Sequence, residues 1–309
     1  MPAAALLDLI GRRPGRLGQP GRLGRPVLLD GAFGTELMSR GLPQGHCPEL
    51  WNVEKPDAVR DIHRSYFEAG SDAVATNSFG GSRIKLAAYG LGDRCAELNA
   101  AAAALAVAVR PAGRFVGGDI GPTGKFLKPQ GEHTAAEFEE SFAVQASALV
   151  AGGADFILIE TMFDLREALC AARAARSVSD VPVFATMTFN RTPRGFFTLM
   201  GDSAAQCVAA FETLDLPAFG ANCTLTSSDL AECIREMRKH TARPLIAQPN
   251  AGKPELNRAA EVVYSQDIEA FVADVPKLVE AGANIIGGCC GTNPEYIRRA
   301  AAVLRAGKS

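Results

Sequence analysis

The chain has 309 residues, 47% of them hydrophobic and 21% charged, with a formal net charge of -2. That length holds one large α/β domain with a full core, and the near-neutral balance points away from nucleic acid as a partner. Ala-rich runs such as 100–109 are too short to span a bilayer, so no membrane association is expected.

Eight cysteines are present. No apolar leader with a small-residue cleavage site precedes them, so a reduced, cytoplasmic setting is expected, in which clustered cysteines bind metal or do chemistry. Cys95, Cys170, Cys207 and Cys233 fall inside Ala-rich helical patterns and read as small buried hydrophobes. Cys47 sits in a loop, Gly45-His46-Cys47-Pro48, and is given no role. His46, His63, His133 and His240 are scattered and read as surface or loop residues.

Residues 1–26 form an N-terminal extension. A short apolar segment, Ala3 to Ile10, precedes a stretch bearing Arg12, Arg13, Arg16, Arg22 and Arg25, and reads as a frayed terminal helix and linker. From Val27 onward a rhythm begins. Apolar runs start at Val27, Ala73, Phe115, Phe156, Val183, Ala218, Leu245 and Ile285. Between them lie amphipathic segments, 57–69, 93–109, 134–151, 164–177, 203–214, 227–240, 267–281 and 294–304. Fully apolar strands that alternate with helices imply a parallel sheet covered on both faces. Eight such units predict a single-domain (β/α)8 TIM barrel over residues 27–309 rather than an open doubly wound sheet. Thr134 and Glu137 are spaced as a capping box, and Asp57, Asp93 and Asp164 are predicted N-caps.

The C-terminal ends of barrel strands carry the functional residues. Here the unusual residues do follow the apolar runs. They include Asp30-Gly31-Ala32-Phe33-Gly34-Thr35-Glu36, Gly118-Asp119-Ile120-Gly121-Pro122-Thr123-Gly124, Glu160-Thr161-Met162, Asn222-Cys223-Thr224 and Gly287-Gly288-Cys289-Cys290-Gly291-Thr292. Adjacent side chains on a regular strand point to opposite faces, so Cys289 and Cys290 need the bend that glycine permits to reach one target. Cys223 ends another run and is the candidate third ligand. Three thiolates suit Zn2+ and leave a fourth position open. Such a centre is a poor maker of hydroxide, but it holds an incoming thiol as a nucleophilic thiolate. A vicinal disulfide with a redox role, or two buried free thiols, is the competing reading of Cys289-Cys290.

The turn Gly31 to Gly34 can present backbone N–H groups to a carboxylate. Asp30 and Glu160 can hold an ammonium group, although Asp30 also reads as a turn residue. Glu160, at the end of an Ile-rich strand, needs a partner. Together these features describe a site for an α-amino acid ending in sulfur.

The signatures at 30–36, 220–223 (Gly-Ala-Asn-Cys) and 287–292 resemble those of the homocysteine S-methyltransferase family over about Val27 to Leu304. The resemblance implies a (β/α)8 barrel with zinc on Cys223, Cys289 and Cys290. It also implies a homocysteine amino group at Asp30 and Glu160, and a carboxylate at the turn Gly31, Ala32, Phe33 and Gly34, with Asn222 beside the site. Within the family, the motifs at 118–124, 187–189 and 248–254 look most like the homocysteine module of cobalamin-dependent methionine synthase. The sequence lacks the Asp-x-His-x-x-Gly corrinoid signature, since Asp61-Ile62-His63 has no following glycine in place. The methyl donor is therefore expected to be a methyl-corrinoid on a separate protein, or else S-methylmethionine or betaine. Arg191 and Arg194, in the loop after the fifth run, are either donor-recognition residues or part of a solvated loop. The expected reaction is methyl transfer to homocysteine to give methionine. Transfer to another thiol or selenol, and a non-catalytic zinc or corrinoid-partner binding module, are the alternatives. The oligomeric state is not read from the sequence.

Overall fold

The apolar runs are strands and the amphipathic segments between them are helices. The computed structural model describes residues 2–11, 23–256 and 262–306. The barrel strands are β1 (Val27–Leu28), β2 (Ala73–Ala75), β3 (Phe115–Ile120), β4 (Phe156–Met162), β5 (Val183–Met187), β6 (Ala218–Asn222), β7 (Leu245–Gln248) and β8 (Ala283–Ile286). From β2 to β8 each strand pairs in parallel with the next, and β8 pairs with β1, Val27 opposite Ile285. The result is the expected (β/α)8 barrel, nearly closed.

The one break in the ladder lies between β1 and β2. Two carboxylates bridge it. Asp72 Oδ2 accepts from Leu28 N at 2.9 Å, while Asp72 N donates to Leu28 O at 2.7 Å. Two residues beyond β1, Asp30 Oδ2 accepts from Ala75 N at 2.8 Å. Asp72 is also paired with Arg25, at 2.6 and 3.0 Å, and with Arg114. Asp155 repeats the device at β3, accepting from Val116 N and from Arg110.

Alternation along each strand divides the core in two. Phe156 and Leu158 of β4 point into the barrel with Val27, Phe115, Phe184, Ile246 and Ile285. Ile157 and Ile159 point outward, against the helices. The first helix, Pro2–Leu9, corrects the expectation of a frayed terminus. Leu6, Leu9 and Ile10 are buried in the same cluster as the barrel interior, so the helix plugs the end at which the strands begin. Each such side chain contributes about 1.5–3 kcal/mol relative to exposure. Arg12, Arg13, Arg16 and Arg22 lie outside the described residues.

The capping box at Thr134 and Glu137 is formed, and Asp164 caps the helix Leu165–Val178. Asp57 and Asp93 are not caps. Asp57 falls in the first turn of Pro56–Ala69, whose proline sits at the start. Asp93 belongs to a short 3-10 turn, 92–94, ahead of Cys95–Ala108. Cys47, Cys95, Cys170, Cys207 and Cys233 are all buried. Residues 190–197 form an antiparallel hairpin in which Arg191 pairs with Asp229 and Glu232, at 2.6 and 2.7 Å, and Arg194 lies over the Phe197 ring. No helix among the described residues is long and apolar enough to cross a membrane.

His63 is the clearest departure from expectation. His46 and His240 are exposed, but His63 is 0% exposed on the helix Pro56–Ala69, its ring 4.7 Å from that of Phe33. Neither ring nitrogen has a partner among the described residues. Burial pushes its pKa down to about 3. Between that value and the ordinary value near 6.5, the unfolded chain takes up a proton that the folded one refuses, so stability falls as pH drops. We expect His63→Leu to remove this slope. Urea unfolding at pH 7 and pH 5 should show the variant gaining about 2 kcal/mol on the parent at the lower pH; an equal difference at both pH values would refute the assignment.

Candidate metal centre

The three candidate cysteines lie just past β6 and β8, where the backbone turns sharply. Cys223 and Thr224 both have left-handed backbone, φ 61 and 51, outside glycine a conformation that costs on the order of 1 kcal/mol or more per residue. Neighbours hold them there. Cys223 N donates to Gln248 O at 3.0 Å, and the Thr224 hydroxyl donates to Phe189 O at 2.7 Å. After β8, Cys289 N donates to Pro249 O and Thr292 N closes a turn back on Cys289 O. The Thr292 hydroxyl sits between two glycines. A Cβ on Gly31 would lie 2.6 Å from it and one on Gly288 2.4 Å, so no side chain fits at either position. Its oxygen accepts from Ala32 N at 3.1 Å and donates to Cys289 O at 2.7 Å, which fastens the loop after β1 to the cysteine turn.

The turns converge the sulfurs. The Sγ atoms of Cys223, Cys289 and Cys290 lie within 4.8 Å of one another, and those of Cys223 and Cys290 are 3.8 Å apart. A tetrahedral ion with Zn–S bonds of about 2.3 Å spaces its sulfurs by about 3.8 Å, so the trio fits zinc. Among the described residues no other three His, Cys, Asp or Glu side chains converge in this way. Hydrogen bonds from Cys223 and Cys289 pull the Cys290 thiol down to about 3, while those with Cys223 and Cys290, then burial, push the Cys289 thiol up.

The sulfurs border a cavity of about 360 Å3 at the strand C-terminal ends. Asp30, Asp119 and Glu160 reach it from β1, β3 and β4. Burial first, then the neighbouring carboxylates, raises the pKa of Asp30 and Asp119; burial, then Cys290, raises that of Glu160 to about 7. Lys85 is the one cationic side chain among the described residues that line the cavity. Glu160 is aimed by a bulge: Thr161 has φ 59, and the pairing of β4 with β5 shifts register there. Gln248 Nε2 approaches Glu160 at 3.5 Å. The predicted carboxylate turn is the entry to the short helix Phe33–Ser39. The Ala32 N–H is already taken by Thr292, whereas those of Phe33, Gly34 and Thr35 open a helix and lack intrahelical acceptors.

Asn222 is 1% exposed and ties the site together. Its Oδ1 accepts from Thr161 N at 2.9 Å and from the Thr186 hydroxyl at 2.8 Å, and its Nδ2 donates to Thr161 Oγ1 at 2.7 Å. It supports the bulge that carries Glu160. Sequence reasoning placed Asp119 at a functional strand end without giving it a role, and missed Tyr264 as a residue of the cavity. Strand alternation carried a signal for Asp119, which lies two residues after the inward Gly117. Tyr264 had none, because it comes from the antiparallel strand pair Pro254–Leu256 and Val262–Tyr264, outside the barrel repeat.

The homocysteine S-methyltransferase family model matches residues 27–304. The chain belongs to that family. Among its relatives are the methionine synthases of Mycobacterium tuberculosis, 35% identical over 295 residues, and Mycobacterium leprae, 33% identical over 294. Each alignment covers 89% of this chain and 24% of the relative, so the chain spans about a quarter of the length of these methionine synthases. The homocysteine methyltransferase MmuM from Escherichia coli, in its metallated form, shares the fold at TM-score 0.76 and 24% identity, over 98% of this chain and 99% of that one. A methyltransferase from Methanosarcina mazei superimposes at TM-score 0.61 and 11% identity over 100% and 99%.

Removal of the Asn222 amide leaves Thr161 N and the Thr186 hydroxyl buried without their acceptor. Asn222→Ala should destabilise the fold by about 2–4 kcal/mol in denaturant unfolding. A cost below about 0.5 kcal/mol would show that the bulge is held by other contacts.

Proposed function

We propose that the chain moves a methyl group onto the thiol of homocysteine, giving methionine, with one Zn2+ held by Cys223, Cys289 and Cys290. The observation that carries this reading is the convergence of three sulfurs on a cavity whose other walls hold Asp30 and Glu160. Zinc on three thiolates would lower the pKa of a substrate thiol while leaving the sulfur nucleophilic. The remaining work belongs to the side chains and backbone. Asp30 has one oxygen committed to Ala75 N, and its other oxygen is available to an ammonium group. Glu160 meets the same group from β4. The N–H groups of Phe33, Gly34 and Thr35 receive the carboxylate. Three points of attachment orient the amino acid so that its sulfur reaches the cysteine trio, and orientation of this kind lowers the barrier to in-line transfer. Asn222 keeps Glu160 in register.

For the donor we favour a methyl-corrinoid, because the motifs at 118–124, 187–189 and 248–254 resemble the homocysteine module of cobalamin-dependent methionine synthase. The second reading is an onium donor, S-methylmethionine or betaine. The excess of carboxylates over Lys85 in the cavity favours it, because a sulfonium or quaternary ammonium centre compensates buried negative charge.

Three measurements test the proposal. The zinc-loaded protein, given homocysteine with methylcobalamin, S-methylmethionine or betaine in turn, should form methionine with at least one donor; none from all three would refute the reaction. Cys289→Ser should lose bound zinc and activity together while circular dichroism reports an intact barrel, and full activity without zinc would remove the metal from the mechanism. Glu160→Gln should raise KM for homocysteine about 10- to 100-fold, the loss of one charged contact to the ammonium. An unchanged KM would place the amino group elsewhere.

A further inference from the structure

Strand alternation puts the Asp119 side chain inside the barrel. Phe115 of β3 packs in the interior cluster, Val116 and Ile120 pack outside it, and so Gly117 and Asp119 face inward. A Cβ on Gly117 would lie 2.5 Å from the Phe156 ring, which fills that layer and leaves Asp119 one layer nearer the mouth. The Asp119 backbone is fixed in place. Its N–H donates to Thr76 Oγ1 at 3.0 Å, and its carbonyl accepts from the Ser78 hydroxyl at 2.7 Å. Its carboxylate has no such anchor. Asp119 is 5% exposed and lines the cavity with Asp30 and Glu160, yet its Oδ1 has no hydrogen-bond partner among the described residues. Gln248 lines the same cavity, also buried, and its Oε1 likewise has no partner.

A buried acceptor without a donor is costly. Here such acceptors gather on one cavity, so the ligand must bring the donors. On the function proposed above, on which this inference rests, homocysteine brings a primary ammonium, with three N–H donors and no acceptor. Asp30, with one oxygen held by Ala75 N, and Glu160 answer two of them. We propose that Asp119 accepts the third, so that the site selects a free primary amine by matching each of its N–H bonds with a carboxylate. Charge favours Asp119 over Gln248 for this place, because an ammonium bonds more strongly to a carboxylate than to a neutral amide oxygen. Burial, then Glu160 and Asp30, raise the Asp119 carboxyl, the direction expected of acids grouped around one place for a cation.

The test compares the zinc-loaded full chain with its Asp119→Asn variant. Isothermal titration calorimetry measures the binding of homocysteine and of 4-mercaptobutanoate, the same thiol acid without the amino group. Asparagine keeps the shape of the side chain and removes its charge. The Kd for homocysteine should rise about 10- to 100-fold, the loss of one charged hydrogen bond. The Kd for 4-mercaptobutanoate should not rise, since that ligand has no ammonium to lose. A homocysteine Kd that does not move overturns the proposal. So does an equal weakening of both ligands, which would show that Asp119 shapes the strand end instead of meeting the amine. If the parent itself binds neither thiol, the function proposed above fails and this assignment fails with it. If parent and variant bind and methylate homocysteine alike, that function stands and only the role of Asp119 is lost.

Discussion

Closure of the ring between β1 and β2 is the constraint on which the site depends. β1 contributes only two ladder residues, and carboxylates supply the bonds that a longer strand would make. Asp72 closes the end where the strands begin, with two arginines to compensate its burial. Asp30 closes the opposite end, through Ala75 N, and no arginine or lysine among the described residues is paired with it. The asymmetry has a physical meaning. A buried carboxylate without a cation is costly unless its charge is matched by a ligand or removed by a proton. The same bond that completes the barrel therefore places an unmatched acid at the mouth, next to the sulfurs.

The strain at the site has the same origin. Thr161, Cys223 and Thr224 are three of the four non-glycine residues with left-handed backbone among those described, and all three border the cysteine trio or its supporting bulge. Regular strand ends would carry their side chains past one another. Left-handed turns swing Cys223 towards Cys290 and Glu160 towards Gln248. The cost is spread over bonds that strand neighbours make anyway, such as Cys223 N to Gln248 O. A rigid barrel can hold such turns because its strands are buried on both faces.

Much of this was legible in the sequence, for identifiable reasons. β2 and β5 coincide with their apolar runs, and helix ends fall within about two residues of the amphipathic segments, because apolar alternation marks buried faces directly. The cysteine trio was legible because each member follows a strand. What failed involved contacts between distant segments. Leu6, Leu9 and Ile10 show an apolar face, but nothing local says that it plugs a barrel. His63 looks polar, yet the helix geometry that buries Tyr66 and Phe67 beside it buries it too. Asp57 and Asp93 have cap chemistry, but a proline and a 3-10 turn set the actual starts. Tyr264 lies in a strand pair that no barrel repeat predicts.

On the function proposed above, the charges would bring metal and amino acid into one site rather than two. Three thiolates and the carboxylates of Asp30, Asp119 and Glu160 surround a single cavity with Lys85 as the described cation. Burial, and then the neighbouring carboxylates for Asp30 and Asp119 and Cys290 for Glu160, push these three acids up. A divalent ion at the sulfurs displaces the thiol protons there, and an ammonium group at the acids does the same for the carboxylates. Each cation lowers the cost of burying the charges that the other leaves. In that proposal an α-amino acid with a terminal thiol would answer both halves, with its ammonium at one wall and its sulfur at the other.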